Sequence, residues 1–549
     1  MTQIYSQELS RYQLDSLYTK FLQIRAPELL GQKYQPIPLS IEDRKCGFGI
    51  VNMVRFNFNN FSLEQQNTLR SLLQRKIKQK SIVSPSGFFR IHYDTTGNQA
   101  PIYDLSLTAN ENAYQVALAA DSSYRFEVSY LGFPPPPSDL GEGGDDRYDI
   151  YITTADGNYG FTDPETPLGN DKYTSYIEIH FSFQGSSFAT HGLNAMRVTV
   201  AHEFHHSIQI GDYINRYAED GFFYELTSTS MEEFVYDDVN DYYAYMHSYF
   251  YSTYYTFPNH IGYDMAIWNI YLVKYYNDFG IIKRQWELMP TQRAMIAIAI
   301  SLSEKGSSFA RDYNRFGIWT FFTDTRSVQG KYFEEAENYP LVKNLSDKIY
   351  PQETHIDVYA KATSNNFVKF GNTTNGDSLY VIITNGDISS VLIDPTQTFQ
   401  STYTLYSDPS TGERMLGDTY SATFQVPNSN WWSVSEILNG IVVREDSANI
   451  PLTESSGSFA FPNPFKYNGY LSISFQGKLG QEVDFNVYSS DMILVYSKSE
   501  QANSLLNNTI GVSWDGKDLE GDKLASGVYI YVIKRGDDIL KGKVVIFNE

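Results

Sequence analysis

Positions 200–210 place His202, Glu203 and His206 in the pattern His-Glu-x-x-His. Residues four apart share one face of an α-helix, so both imidazoles could bind one Zn²⁺ while Glu203 addresses a water molecule beside it. The apolar residues of the segment predict a helix buried in a core. They are Met196, Val200, Ala201, Phe204 and Ile208. The bland alternative is a buried helix whose histidines are only hydrogen-bonded. A di-iron bundle is excluded because the sequence has no second Glu-x-x-His element.

A catalytic zinc site needs three protein ligands and one open position, and two residues compete for the third ligand. Asp212 lies six residues after His206, as in the short-spaced metzincin pattern, but that pattern needs a glycine where this chain has Gln209. Glu225 follows His206 after 18 intervening residues, a gap that suits a loop and a second packed helix. Glu232 lies seven residues after Glu225 on the same face, and is expected to orient a ligand. The spacing favours Glu225 over Asp212.

This spacing resembles that of the gluzincin metallopeptidases, which include thermolysin and the zinc aminopeptidases. The flanking sequence is similar to a group of uncharacterised bacterial secreted metallopeptidases with C-terminal sorting modules. The matching stretches begin at Ser84, Leu131, Gly144 and Val235. One departure is Leu226, since such families usually have glycine after the ligand glutamate. A bulkier residue there is expected to alter the approach of the two helices.

The resemblance implies a zinc-dependent endopeptidase that hydrolyses proteins or peptides, because the Gly-x-Met-Glu-Asn signature of gluzincin aminopeptidases is absent. His202, His206 and Glu225 would hold Zn²⁺. Glu203 would take a proton from the attacking water and deliver it to the leaving amine. His205 points to another face of the helix and is expected to be packed or hydrogen-bonded.

The same resemblance suggests where substrate would bind. The strand predicted at positions 173–183 would form the edge of the cleft, to which a peptide adds as a further strand. His260 and Tyr263 are candidates for the donor that stabilises the oxyanion, with packing at the start of a helix as the alternative.

Cys46 is the only cysteine, which excludes an internal disulfide framework. It lies in Arg44-Lys-Cys-Gly, which resembles the Pro-Arg-Cys-Gly switch of matrix metallopeptidase propeptides. That resemblance implies a zymogen switch, in which the thiolate fills the open zinc position and the basic run at positions 75–80 is a processing site. The alternative is a small buried residue that happens to be cysteine.

The chain predicts an α+β fold in four parts. Residues 1–83 form a propeptide-like region, and residues 84–345 form the metallopeptidase domain. By the resemblance, that domain is a zincin with a β upper half and an α-helical lower half. Residues 346–450 and 451–549 contain short alternating strands with turn residues, typical of two β-sandwich domains.

The last part carries a second signature. Phe461-Pro-Asn-Pro-Phe, Trp514-Asp-Gly and Ser526-Gly-Val-Tyr occur in the order seen in the immunoglobulin-like C-terminal sorting domain of type IX secretion cargo, which they resemble. This implies that the type IX machinery is a partner, and that the protein is secreted or at the cell surface of a Gram-negative bacterium. Residues 1–22 are polar and lack a signal-peptide core, so either a signal has been removed or the protein is not exported.

Composition excludes two kinds of partner. The net charge of −22 argues against binding to nucleic acid. No apolar run reaches the roughly 18 residues of a membrane-spanning helix. The rival functional class is a non-enzymatic surface adhesin or binding protein on a vestigial peptidase scaffold. Glu203 argues against that class, because a binding scaffold has no use for a general base beside two histidines.

Overall fold

The computed structural model of the protein has a mixed α and β fold with several separate sheets, consistent with the α+β class. It describes residues 9–31, 34–39, 45–154, 158–186, 188–350, 355–372, 378–386, 388, 398–407, 414–416, 438–444, 459–461, 465–467, 469–475, 478–489, 493–505, 510–536, 538–546 and 548. Arg44, Pro462, Asn463 and Pro464 of the motifs above lie outside these residues. Among the described helices, none is long and apolar enough to cross a bilayer.

The described α-helices are α1 (Arg11–Arg25), α2 (Phe48–Phe56), α3 (Leu63–Leu72), α4 (Ala109–Tyr124), α5 (Gly192–Ile208), α6 (Tyr217–Val235), α7 (Tyr243–Tyr251), α8 (Ala266–Tyr276), α9 (Gly280–Leu288), α10 (Ala294–Glu304) and α11 (Phe309–Phe321). Short π-helical turns follow α4 (Arg125–Tyr130) and α5 (Gln209–Tyr213).

Helices α1, α2 and α3 form an N-terminal layer. Both α1 and α3 begin with a capping box, Ser10 with Gln13 and Ser62 with Gln65. The apolar faces of the three helices share one buried cluster that includes Phe161. Since Phe161 belongs to the first sheet, the layer packs on the edge of that sheet.

The first sheet contains β1 (Lys80–Val83), β2 (Phe89–Tyr93), β3 (Tyr148–Thr153), β4 (Gly160–Gly169) and β5 (Lys172–His180). Their order is β1-β2-β3-β5-β4, so the sheet begins before residue 84. Strands β2, β3 and β5 are parallel, whereas β1 and β4 are antiparallel to their neighbours.

The outer edge beside β5 is formed by β4. The two strands are joined by Asn170 and Asp171, whose φ angles of 54° and 56° are those of a tight hairpin turn. The prediction that positions 173–183 form the edge of the cleft is therefore wrong, because β5 pairs with β3 on one side and β4 on the other.

Helices α4 to α11 pack against this sheet through one large apolar cluster, in which Trp268 and Trp286 are fully buried. Helix α5 lies between the sheet and α6, and its residues from Val198 to Ile208 are all buried. Polar side chains on such a helix must find partners inside the protein, so the contacts of the α5 histidines all lie within the core.

The strands that follow are β6 (Ser346–Tyr350), β7 (His355–Lys361), β8 (Ser364–Asn372), β9 (Ser378–Asn385), β10 (Thr398–Ser407), β11 (Arg414–Leu416) and β12 (Leu438–Arg444). They form one sheet in the order β12-β9-β8-β6 and another in the order β11-β10-β7. Phe367, Tyr380 and Ile382 join the apolar cluster of the helices, so the first of these sheets packs directly on α11.

The last strands are β13 (Phe459–Phe461), β14 (Leu471–Ser474), β15 (Glu482–Ser489), β16 (Leu494–Gln501), β17 (Asn503–Ser504), β18 (Ile510–Trp514), β19 (Gly527–Arg535) and β20 (Asp538–Ile546). They form two four-stranded sheets, β13-β14-β18-β17 and β16-β15-β19-β20. Both sheets contribute to an apolar cluster of their own, around Trp514 and Phe485.

Candidate metal centre

Helices α5 and α6 bring the two histidines of the motif to one glutamate. His202 Nε2 and His206 Nε2 lie 3.1 Å apart. Glu225 Oε2 lies 3.3 Å from His202 Nε2 and 3.4 Å from His206 Nε2. All three side chains are buried. Three potential ligand atoms thus converge on one point inside the protein.

The spacing of these atoms fits a tetrahedral zinc ion. Bonds of about 2.0–2.1 Å in a tetrahedron set neighbouring nitrogen and oxygen ligands about 3.3–3.4 Å apart. The distances of 3.1, 3.3 and 3.4 Å are close to that value. Glu225 Oε2 is also buried without a hydrogen-bond partner, which is the state expected of an atom placed for a metal. The donor set of two imidazoles and one carboxylate suits Zn²⁺.

The outer nitrogens of both rings are held by neighbouring side chains. Glu232 Oε1 lies 2.7 Å from His202 Nδ1, as expected from its place on the face of Glu225. Gln209 Oε1 lies 2.7 Å from His206 Nδ1, and Ser228 Oγ lies 3.1 Å from the same atom. These partners fix each Nε2 toward the centre, as second partners of metal-binding histidines do.

Titratable groups also surround the point where these three ligand atoms converge. Burial opposes a charged imidazole, but the adjacent carboxylates of Glu225 and Glu232 raise the pKa of His202 to about 9. Burial likewise opposes a charged carboxylate, but His206 and His202 hold the pKa of Glu225 well below its usual value. The buried acids therefore require positive charge at the centre, which a proton or a divalent cation can supply.

Glu203 lies beside the three converging atoms rather than among them. Thr162 Oγ1 donates to Glu203 Oε2 at 2.9 Å, which leaves Oε1 facing the centre. Burial raises the pKa of Glu203, although His202 and His206 act in the opposite direction. A carboxylate with a raised pKa, one oxygen of which is held by a hydroxyl, is suited to accept and return a proton.

Leu226 is fully buried in the apolar cluster of the helices. The close approach to α6 is made instead by Gly262, which has a φ angle of 89°. A Cβ at position 262 would lie 2.7 Å from Glu225 Cβ and 2.6 Å from the carbonyl oxygen of Phe222. A glycine from another segment thus packs directly on α6 beside Glu225, and the expected effect of Leu226 on the approach of the two helices stays a prediction.

Asp212 lies in the π-helical turn after α5, and its Oδ2 is buried without a hydrogen-bond partner. Burial raises the pKa of Asp212 to about 7. The buried group whose ligand atoms all lie within 4.8 Å of one another contains His202, His206 and Glu225, and not Asp212. His205 turns away from this group, and its Nδ1 lies 2.7 Å from Glu127 Oε2.

The two candidate oxyanion donors lie in different surroundings. The Tyr263 ring stacks on His202 with a centroid distance of 5.9 Å, and burial and Glu225 raise the pKa of its hydroxyl. His260 Nδ1 lies 2.9 Å from Asp264 Oδ2, and its ring packs against Tyr249. Tyr217 also reaches the centre and donates to Glu225 Oε1 at 2.8 Å, although no sequence motif marks this residue.

Cys46 completes the same group, since its Sγ lies within 4.8 Å of the ligand atoms of His202, His206 and Glu225. Its thiol lies 3.1 Å from Glu203 Oε1. Burial raises the pKa of this thiol, with Glu203 as the next cause.

Lys45 was missed by the sequence analysis. Its Nζ lies 3.0 Å from Glu232 Oε2 and 2.5 Å from Asp241 Oδ2. The residue next to Cys46 thus reaches the carboxylate that holds His202. No local pattern marks Lys45, because both of its partners lie about 190 residues later, at separations of 187 and 196.

The chain matches no known family profile and no curated protein. Solved structures with partial likeness include PorZ, a surface component of the type IX secretion system of Porphyromonas gingivalis, with 16% identity over 32% of this chain and 29% of that one (TM-score 0.14). Dimeric latent PorU of the same organism has 11% identity over 36% and 21% (TM-score 0.16). A pullulanase of Group B Streptococcus has 14% identity over 30% and 21% (TM-score 0.12). The matches cover less than a third of each of those proteins, with 29% the largest share.

Proposed function

We propose that the protein is a zinc-dependent endopeptidase that hydrolyses peptide bonds of proteins. The observation that carries this proposal is the convergence of His202 Nε2, His206 Nε2 and Glu225 Oε2 at 3.1–3.4 Å, with Glu203 facing the same point. Glu225, rather than Asp212, is the proposed third ligand. The fold that accompanies this function is a zincin, with the first sheet as its upper half and α5 to α11 as its lower half.

His202, His206 and Glu225 would hold a zinc ion, which would lower the pKa of a water molecule to about 7 and polarise a peptide carbonyl. Glu203 accepts the proton of the attacking water at Oε1 and returns it to the leaving amine. Thr162 keeps that carboxylate in place through Oε2. Tyr263 and Tyr217 line the centre as hydroxyl donors for the oxyanion, and His260 is the weaker candidate for that role.

The test compares Glu203→Gln with wild type in a zinc assay and a casein-digestion assay. The variant is expected to keep its zinc and to lose about 100- to 10,000-fold in turnover, because it removes the base and leaves the ligands. Glu219→Gln, on the exposed start of α6, is the matched control and keeps wild-type activity. The comparison is made in wild type and again with Cys46→Ala in both proteins, and the mechanism is wrong if Glu203→Gln digests casein as fast as its matched partner at a rate above the enzyme-free blank.

The rival function, a non-enzymatic surface adhesin on a peptidase scaffold, makes a different prediction for the same assay. It requires zinc binding with no digestion by wild type or by a variant freed of any inhibitory contact. The position of Glu203 beside the three ligand atoms favours the enzyme, since a purely structural zinc site needs no general base.

We further propose that the chain is exported by a type IX secretion system to the cell surface or medium of a Gram-negative bacterium. Under this proposal the strands of residues 346–444 form an accessory β-sandwich, and those of residues 459–546 form the immunoglobulin-like sorting domain. The separate apolar cluster of the last eight strands supports an independent sorting unit. The test is removal of residues 459–549 in a type IX-secreting host. Export should be lost while zinc binding is kept, and unchanged export would contradict the assignment.

A further inference from the structure

The short segment before α2 lies in the metal centre itself. Cys46 Sγ belongs to the buried group formed with His202, His206 and Glu225. In a four-coordinate zinc site, three ligands leave one position, and the thiolate is among the strongest ligands for it. Cys46 also contacts Glu203 Oε1 at 3.1 Å, so one side chain faces both the metal position and the general base.

The backbone of the segment occupies the edge of the sheet. Gly47 N donates to the carbonyl oxygen of Gly160 at 2.9 Å, and Tyr159 N donates to the carbonyl oxygen of Lys45 at 3.2 Å. Cys46 therefore pairs with Gly160 as a parallel bridge on β4. An extended peptide that adds to a sheet edge uses these same backbone groups. A substrate and this segment cannot bind at that edge together.

Side chains after Cys46 hold the segment in place. The Phe48 ring stacks on His206 with a centroid distance of 4.2 Å and an angle of 22°. Asn52 and Asn215 exchange two amide hydrogen bonds of 2.8 and 3.0 Å. Gly49 lies against Tyr217, where a Cβ would approach the hydroxyl to 2.6 Å. These contacts join the N-terminal layer to both metal-binding helices. They fix the position of Cys46 at the centre.

We propose that positions 45–48 form a built-in inhibitor of the metal centre, with Cys46 as a fourth zinc ligand that keeps the protein latent. This inference rests on the proposed function for the activity that is inhibited. The thiol releases its proton to solvent as the sulfur–zinc bond forms, and no other bond is broken. Latency ends when the sulfur leaves and the fourth position opens to water and substrate.

The basic run at positions 75–80 is partly held by ion pairs. Arg75 pairs with Asp139 at 2.7 Å and Glu165 at 2.5 Å, and Lys78 pairs with Asp94 at 3.0 Å. Ile77 between them is fully exposed at 100%. Arg75 and Lys78 are thus engaged in ion pairs, while the side chain of Ile77 between them is open to solvent.

The first measurement does not depend on turnover. Since Cys46 is the only cysteine, thiol labelling of the folded protein reports on this residue alone. Zinc should protect the thiol, and a chelator should restore labelling. With Co²⁺ in place of zinc, a sulfur-to-cobalt charge-transfer absorption is expected in wild type and should be missing in Cys46→Ser. Equal labelling with and without zinc, together with no such absorption, would overturn the fourth ligand.

The second measurement is casein digestion by wild type, Cys46→Ala and Leu63→Ser. Leu63 is 77% exposed on α3, so its variant alters the same N-terminal layer but keeps the thiol. The expected result is at least a tenfold gain in rate for Cys46→Ala only. Equal rates in all three would overturn latency. If none digests casein while the cobalt absorption is present, Cys46 is a ligand and the proposed endopeptidase function is what fails.

A separate observation concerns the pocket that holds Lys45. The side chain is 2% exposed, and its ammonium lies between Glu232 and Asp241. It also lies 4.3 Å from the centre of the Tyr159 ring and 5.7 Å from that of Tyr245, both within cation–π range. The pocket is thus built for a cation, with two acids at its end and two aromatic walls.

Without a bound cation, this pocket would destabilise the folded protein. Two buried carboxylates that lose their cation leave uncompensated charge, which is strongly destabilising. When the segment that carries Lys45 leaves β4, another cation is the natural occupant. The pocket adjoins the metal, because Glu232 contacts both Lys45 Nζ and His202 Nδ1. A substrate at the same edge would place a side chain next to its scissile bond there.

We propose that the pocket of Tyr159, Glu232, Asp241 and Tyr245 selects a lysine or arginine side chain of the substrate. The test measures binding of paired peptides that contain lysine or the uncharged norleucine, in the variant Lys45→Ala/Cys46→Ala/Glu203→Gln, so that no turnover is needed. We expect at least tenfold tighter binding of the lysine peptide.

Adding Asp241→Asn to that variant should abolish the preference for lysine, while Asp238→Asn, an exposed neighbour, should leave it unchanged. Equal binding of the two peptides, binding of neither, or a preference that survives Asp241→Asn would each overturn the proposal. Zinc content of all variants checks that the fold is retained. The binding result is independent of whether the protein digests casein.

Discussion

At the residue scale, the metal centre depends on how each imidazole uses its two nitrogens. Nδ1 of His202 is committed to Glu232, and Nδ1 of His206 is committed to Gln209, so both Nε2 atoms face Glu225. Such outer partners fix the ring orientation and raise its basicity. Substitution of a residue that binds the metal should therefore lower zinc affinity more than substitution of a nearby acid that does not.

Glu225 and Asp212 can be separated by their effect on zinc. Glu225→Ala should lower zinc affinity by more than about 100-fold, since loss of even an outer partner costs 10–100-fold. Asp212→Ala should change zinc affinity less than twofold. Dialysis followed by metal analysis makes the comparison, with unfolding curves to check that both variants fold. The reverse ranking would support the short-spaced site.

His180 predicts a pH dependence of stability. Its Nδ1 accepts hydrogen bonds from Ser182 N and Phe183 N, both at 3.1 Å, and burial lowers its pKa from 6.5 to about 4. The unfolded chain thus binds more protons than the folded chain between pH 6.5 and about 4. This contribution to stability is complete above pH 6.5 and is lost as the pH falls through that window.

The variant His180→Asn keeps an acceptor for the two backbone N–H groups but cannot titrate. Wild type should lose on the order of 1–3 kcal/mol more stability than the variant between pH 7 and pH 4. Urea unfolding at several pH values measures the difference. Parallel pH profiles for the two proteins would show that His180 is not buried in its neutral form.

At the element scale, hydrophobic periodicity predicted strands and helices well where the pattern was local. The strand predicted at positions 173–183, observed at Lys172–His180, and the helix that carries the His-Glu-x-x-His motif are examples. Strand β4 was not predicted, because Pro164 and Pro167 interrupt its pattern. Prolines are tolerated on an edge strand, and the Asn-Asp turn that follows is a hairpin signal. Which strand lies at the edge depends on how all the strands of the sheet pair, and a local sequence pattern does not contain this information.

The approach of α6 to the next segment predicts a specific effect at Gly262. Alanine there combines a φ angle of 89° with a Cβ only 2.6 Å from the Phe222 carbonyl oxygen. Gly262→Ala should destabilise the fold by more than about 2 kcal/mol and weaken zinc binding through Glu225. Gly87→Ala is the matched control, since its φ is 79° but no heavy atom lies within 4 Å.

The control should lose only about 1–2 kcal/mol, the cost of the left-handed conformation for a residue with a side chain. Urea midpoints and zinc affinities of both variants measure whether Gly262→Ala loses more stability and more zinc binding than Gly87→Ala. Equal losses in the two variants would mean that the approach to Glu225 is looser than the distances indicate.

At the scale of the whole molecule, the described residues contain separate apolar cores. The first sheet, the helices and strands β8 and β9 share one cluster, whereas the last eight strands surround another. Short alternating strands with turn residues predicted a domain boundary at residue 346. They did not predict that Phe367 and Tyr380 would extend the apolar core of the helices. Alternation along a strand shows that one face is buried and not what covers it.

Separate cores predict separate unfolding transitions, of which only one responds to metal. Zinc present at about 1,000 times its dissociation constant adds about 4 kcal/mol to the unit that binds it, which corresponds to about 5 °C for a unit of this size. Calorimetry with and without a chelator should shift the main transition and leave that of the C-terminal strands unchanged. Glu225→Ala should show no chelator effect on either transition. If both transitions shift together in wild type, the two cores unfold as one unit, because zinc can stabilise only what unfolds together with its site.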